Sequence, residues 1–529
     1  MPHVPACAGS TALSTRRRST SSKAAATASS LHSLECRSWS ITRYTLFRGC
    51  EPAVAAGPDG RIVEVGAGAR KAAGRDAHVV ELSGRVWPGL GDSHLHLEGL
   101  AAAEREVELH GARSLEEALG RVRARADRLP GDAWVIGRGW YNDEWGDARF
   151  PDRRSLDVAA DGRPVFLLRK DGHSAWVSSS ALQFGAIDAA TRDPEGGIID
   201  RDPRGRPTGI LRETAIEPVR LRVPEPTAAE LDLSMAAALR KLARAGLTSV
   251  HSMDSSAALA SLQRLHAAGK LPIRVTYNLP LADLKHAERI GLSSGWGDGL
   301  LRIWGVKAFL DGSLGSRTAE MLDGSGVSRL PQDELQDLVG RCAKAELNVC
   351  LHAIGDKAVR RALDALEPHR GAWRMWRPRI EHAQCVDPAD QPRFARAGVI
   401  ASMQPIHAVS DRELADREWG RSAGHSYAWA ALARAGAVLA FGSDAPVETA
   451  DPLAGLDAAT GWRRRIGWHA ELALTPASAR RAYTRGVAYA AGMEKELGTL
   501  KAGAWCDLTV VDAGRVVATV VEGRAVFRR

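Results

Sequence analysis

The chain has 529 residues, ordinary globular shares of hydrophobic (45%) and charged (25%) residues, and a formal net charge of +8. A basic balance invites a nucleic-acid or membrane surface, but +6 of that charge sits in residues 1–50, where Arg16, Arg17, Arg18, Lys23, Arg37, Arg43 and Arg48 face Glu35 alone. The remaining body carries only +2, which excludes a globally basic nucleic-acid face, and no apolar run is long enough for a transmembrane helix.

Seven cysteines, an odd count with no C-x-x-C pair, argue against a disulfide framework and for a reducing, cytoplasmic compartment. Residues 1–42, rich in Ser, Thr, Ala and Arg, read as a disordered tail whose composition also resembles a transit peptide. From 43 to 86, short alternating runs such as "GRIVEVG" (60–66) and "AHVVEL" (77–82) predict strands. The C-terminal segment 491–529 repeats that style in "CDLTVVD" (506–512) and "RVVATVVEGRAV" (515–526). The two ends are expected to pair into one small sheet domain.

Between them, over 87–490, eight strand-like runs alternate with amphipathic helical ones. The strands are predicted at 86–97, 247–253, 272–279, 301–310, 347–353, 377–383, 399–405 and 438–444, with helices such as 333–346 and 356–367 between them. Eight strand–helix units argue for a parallel α/β fold closed as a (β/α)8 barrel. The stretch 98–246 is too long for a loop and is expected to be an inserted subdomain.

The first of these strands ends in "GDSHLHLEG", where His94 and His96 stand two apart and so share one face of a strand. Alone, H-x-H is weak. His352, His382 and Asp444, however, fall near the C-terminal ends of three other strands, the end of a parallel barrel where active sites form. Four imidazoles and a carboxylate converging there suit zinc or a similar divalent cation. Lys307 lies in the apolar strand "IWGVKAFL", where an ammonium is costly unless paired or neutralised. Either it pairs with Asp311, or its amine has taken up carbon dioxide to become a carboxylated, anionic metal ligand.

The stretches "VWPGLGDSHLHL", "RKDGHSAWVSSSAL", "GVKAFLDGSLGSRTAEM", "LHAIGDKAVRRALDALE", "RIEHAQCVDPADQPRFARAGVIASMQPIHAVSD" and "AFGSDAPVETADPLAGLDAA" resemble, in order, the metal-dependent amidohydrolase superfamily. The branch they resemble is amidohydrolase 3, which includes N-substituted formamide deformylase-like proteins. The resemblance implies a distorted (β/α)8 barrel with a small β-sandwich built from both chain ends. It implies metal ligands at His94, His96, Lys307, His352, His382 and Asp444, one or two zinc ions, a carboxylated Lys307, and Asp444 as catalytic proton shuttle. It further implies hydrolysis of a small-molecule amide or related non-peptide C–N bond. A deaminase or cyclic-amide hydrolase with the same ligands, or a catalytically silent regulator on this fold, are the alternatives. Substrate contacts are expected from His173, Asp311, Arg317, Gln404, His407 and Trp140. The expected partner is a small amide-type molecule, without nucleic acid or membrane, and the chain is compatible with a homodimer.

Overall fold

Eight strands run parallel, each hydrogen-bonded to the next in chain order: β1 (Leu90–Leu95), β2 (Leu247–Ser252), β3 (Arg274–Pro280), β4 (Leu301–Phe309), β5 (Asn348–Ala353), β6 (Arg379–His382), β7 (Ile400–Met403) and β8 (Val438–Phe441). This computed structural model describes residues 43–145, 149–170 and 172–529, and the expected tail, residues 1–42, lies outside them. The first strand is shorter than its sequence pattern: Val86 belongs to a different strand, His78–Pro88, and His96 lies just past the end of β1.

The seam between β8 and β1 is closed beyond the end of β8. Asp444 N donates to His94 O (2.7 Å) and His96 N to Ala445 O (2.8 Å). Gly442 permits this approach, because a Cβ there would stand 2.6 Å from both Asp92 Oδ1 and the backbone nitrogen of His94. Asp92, fully buried, ties the seam together by accepting from His94 N, Ser443 N and Ser443 Oγ.

Helices cover the outside of the barrel for the reason their sequences suggest. In Ala228–Arg244, Leu231, Met235, Leu239 and Leu242 recur at helical spacing and are buried. Thr227 starts that helix in a reciprocal capping box with Glu230. The predicted helices at 333–346 and 356–367 are present as Gln332–Lys344 and Asp356–Leu366. Their apolar faces join one core that includes strand residues such as Val306, Val349 and Leu351.

The two chain ends form one seven-stranded sheet, in which His78–Pro88 pairs parallel with Thr45–Glu51 and antiparallel with Leu508–Asp512. The sheet curls until its N-terminal part meets the C-terminal segment again: Ile62 N donates to Ala504 O and Cys506 N to Gly60 O. Val54 and Ile62 thereby share a buried cluster with Leu508 and Val520. Between β1 and β2 stands a mixed six-stranded sheet of segments from Val107 to Glu213. Its core includes Trp140, Trp145 and Trp176. Among the described residues, no helix is long and apolar enough to cross a membrane.

Candidate metal centre

Parallel register brings the chemistry to one end of the barrel. Phe309 of β4 pairs with His352 of β5, and Ala353 of β5 pairs with His382 of β6. Asp444 follows β8 by three residues and, like His382, has a positive φ (59° and 72°). Such backbone is uncommon outside glycine and concentrates at functional sites. Nitrogen atoms of His94 and His382 and a carboxylate oxygen of Asp444 all lie within 4.8 Å of one another, and all three residues are buried.

The far side of each ring explains how it is aimed. His94 Nδ1 donates to Glu381 Oε2 (2.7 Å), which leaves the Nε2 lone pair facing Lys307 Nζ at 3.5 Å and Asp444 Oδ1 at 3.4 Å. His382 Nδ1 donates to Gln404 Oε1 (2.9 Å), and the same amide donates to Ser402 O (3.4 Å), which fixes its orientation. His352 Nε2 donates to Gly312 O (2.9 Å), so its Nδ1 carries the lone pair. Three imidazoles thus spend their N–H on an outer acceptor and keep a lone pair, the arrangement that orients histidines toward metals. Burial also pushes the His94 and His382 rings far below the usual histidine range and His352 to about 4, so all three are neutral.

Asp444 supplies the charge. Burial pushes its carboxyl up, yet the neighbouring His96, whose own pKa is raised, holds it below the ordinary carboxylate range. Its Oδ1 lies 3.2 Å from His96 Nε2 but, although buried, accepts no well-formed hydrogen bond. A buried carboxylate oxygen left open beside imidazole lone pairs fits a divalent cation with nitrogen and oxygen preference. His96 is placed differently: its Nε2 faces Asp444 and its Nδ1 lies 3.8 Å from Asp254 Oδ1. Burial lowers its pKa, but those two carboxylates prevail and raise it. Lys307 is buried, with its pKa lowered by desolvation despite the nearby Glu381 and Asp444.

The other expected residues are not all gathered here. Gln404 and His407 are, both buried beside His382. Asp311 is buried too, but its carboxylate accepts the backbone N–H of Glu320, Ile354 and Gly355, so it anchors the segment after β4 instead of pairing with Lys307. Arg317 is exposed and paired with Glu418 at 3.2 Å. His173 immediately precedes the strand Ser174–Val177 of the inserted sheet, largely exposed and 3.0 Å from Glu213. Trp140 is fully enclosed in the core of that sheet, with its indole N–H on Leu167 O.

Sequence reasoning passed over a buried network beneath the site. Arg379 donates to Glu381 Oε1 (2.7 Å), His251 Nδ1 (2.6 Å) and Ser93 O (2.6 Å), binding β6 to β2 and β1. Burial alone would raise the Glu381 carboxyl, but Arg379 and Lys307 keep it low. Glu381 therefore stays ionised against His94.

Residues 78–527 match the sequence profile of the amidohydrolase family. The chain belongs to the amidohydrolase family. It is 31% identical over 517 residues to Protein LONG AFTER FAR-RED 3 of Arabidopsis thaliana, a match spanning 89% of this chain and 87% of that one. It is 29% identical over 480 residues to N-substituted formamide deformylase of Arthrobacter pascens, covering 86% and 88%. The crystal structure of an uncharacterized metal-dependent hydrolase from Pyrococcus furiosus superposes with a TM-score of 0.73 at 31% identity, over 89% of this chain and 99% of that one. This amidohydrolase accordingly shares its fold with that metal-dependent hydrolase.

Proposed function

We propose that this amidohydrolase hydrolyses a non-peptide C–N bond of a small molecule, an N-formyl or N-acyl amide, with one or two zinc ions held by His94, His96, Lys307, His352, His382 and Asp444. The observation that carries the reading is the convergence of two lone-pair-presenting imidazoles, His94 and His382, with an open Asp444 oxygen at the barrel's C-terminal end, His352 standing beside His382. The named activity of the Arthrobacter relative, deformylation of N-substituted formamides, supports the choice of bond.

A bound divalent cation supplies an acidified water and a polarised carbonyl. Asp444, kept ionised by His96 beside it, orients the water and accepts its proton. It then returns that proton to the departing nitrogen, as a general base and then acid. Glu381 holds His94 in the tautomer the site needs, and Gln404 does the same for His382. Lys307, buried 3.5 Å from His94 Nε2, adds carbon dioxide to its neutral amine with loss of a proton. The product is an anionic ligand where a cation would otherwise oppose the metal.

The test is metal analysis of purified protein coupled to hydrolysis assays on N-substituted formamides, N-acyl amides and cyclic amides. The reading expects at least about one divalent ion per chain and turnover of the open-chain amides. Absence of bound metal together with no activity on any of them overturns it.

A further inference from the structure

Three imidazoles of the site turn a lone pair inward, but His407 is wired the other way. It opens the helix His407–Trp419 after β7 and is buried. Its ring lies nearly parallel to that of His382, with centroids 6.2 Å apart and planes 14° apart. Gln384 Nε2 stands 3.1 Å from His407 Nδ1. An amide nitrogen only donates, so Nδ1 accepts and Nε2 carries the ring proton.

That Nε2–H is buried with no acceptor. The carboxylate it faces, Asp444 Oδ2, is 3.8 Å away, too far for a hydrogen bond. Buried donors are rarely left unmade without a reason, and this one points to where a reacting group must sit to reach Asp444. Tyr427 N donates to the backbone carbonyl of Gln384 at 2.6 Å, which fixes the main chain there, while the side-chain Oε1 is buried without a partner among the described residues, so the contact with His407 is the one hydrogen bond of that amide.

We propose that His407, fixed in its Nε2–H tautomer by Gln384, donates that hydrogen to the carbonyl oxygen of the substrate and to the oxyanion that grows on it. The proposal rests on the hydrolase reading above and names the group that recognises the carbonyl. In this role no proton leaves His407, and all proton transfer stays with Asp444. The donor is pre-aimed, and its contribution rises as charge develops on the oxygen. Gln384 is a positioning residue that acts through the ring.

Formanilide hydrolysis by the metal-loaded full chain, together with 15N spectra of histidine-labelled protein, tests this. The wild-type spectrum is expected to show His407 protonated on Nε2. H407L is expected to keep its metal and lose about 10²–10³-fold in kcat with KM little changed. H407Q, which can place an amide N–H near the same point, should recover part of that loss. Q384E, whose carboxylate only accepts, should move the ring proton to Nδ1 and lower kcat. A wild-type proton on Nδ1, loss of metal in H407L, or H407L turnover equal to wild type would each overturn the proposal. Wild-type protein inactive on formanilide and on every other amide tested would defeat the hydrolase reading, and the carbonyl donor with it. An active wild type beside an unimpaired H407L defeats the role of His407 alone.

Discussion

Replacing Glu381 by Leu should damage the fold and the candidate site together. Glu381 is fully buried and serves two partners, Arg379 Nε at 2.7 Å and His94 Nδ1 at 2.7 Å. E381L leaves the guanidinium of Arg379, itself fully buried, without its carboxylate, and breaking one side of a buried ion pair costs about 3–5 kcal/mol. That is a large share of the roughly 5–15 kcal/mol by which domains are stable. It also frees the His94 ring from its acceptor, and loss of such a support weakens metal binding by about 10–100-fold. Urea unfolding of chelator-treated protein measures the first effect, and competitive zinc titration measures the second. The double variant R379M/E381L removes both charges and should recover most of the lost stability while His94 remains unsupported. If E381L unfolds within about 1 kcal/mol of wild type and binds zinc equally well, the buried pair does not have the role assigned to it.

Other expectations follow from single residues. D444N should lose about 10²–10⁴-fold in kcat while retaining part of its metal, and full activity would remove Asp444 as the proton shuttle. K307A should lose metal, and short carboxylic acids added to the assay should restore some activity if an anionic ligand belongs at that point. Burial pushes the Asp311 carboxyl from 3.8 to about 7. A proton held more tightly when folded stabilises the chain below the unfolded value, and that contribution is lost as pH rises through the folded one. The stability of metal-free wild type relative to D311N should therefore fall by about 1.4 kcal/mol per pH unit between pH 4 and 7 in urea titrations, and a flat difference would contradict the shift. W140A, cut from the closed core of the inserted sheet, should cost about 3–5 kcal/mol without altering metal content.

The barrel was legible because each of its strands carries a short apolar run and the intervening helices keep their period. The gathering of His94, His382 and Asp444 was legible because such residues stand at corresponding strand ends, where a parallel barrel gathers its chemistry. What escaped is the interior of the barrel. In "RPRIEHA", Arg379 and Glu381 alternate with Ile380, a pattern that reads as a half-exposed strand. In the barrel, both faces of β6 are buried and the two charges meet inside. Opposite charges two apart on a strand flanked by buried strands are the signal that could have found them. Asp311 misled for a related reason: the Gly- and Ser-rich segment after it suggests a mobile loop, yet three backbone N–H groups from distant residues close on its carboxylate. Trp140 reads equally as pocket wall or core until the inserted sheet supplies Trp145 and Trp176 as neighbours.

The measurement that bears most directly on the account is anomalous diffraction at the zinc absorption edge from crystals of the wild-type protein. The account predicts a peak bounded by His94 Nε2, His382 Nε2 and Asp444, with density extending from Lys307 Nζ toward it. Crystals grown with zinc that show no anomalous peak among these residues would contradict it.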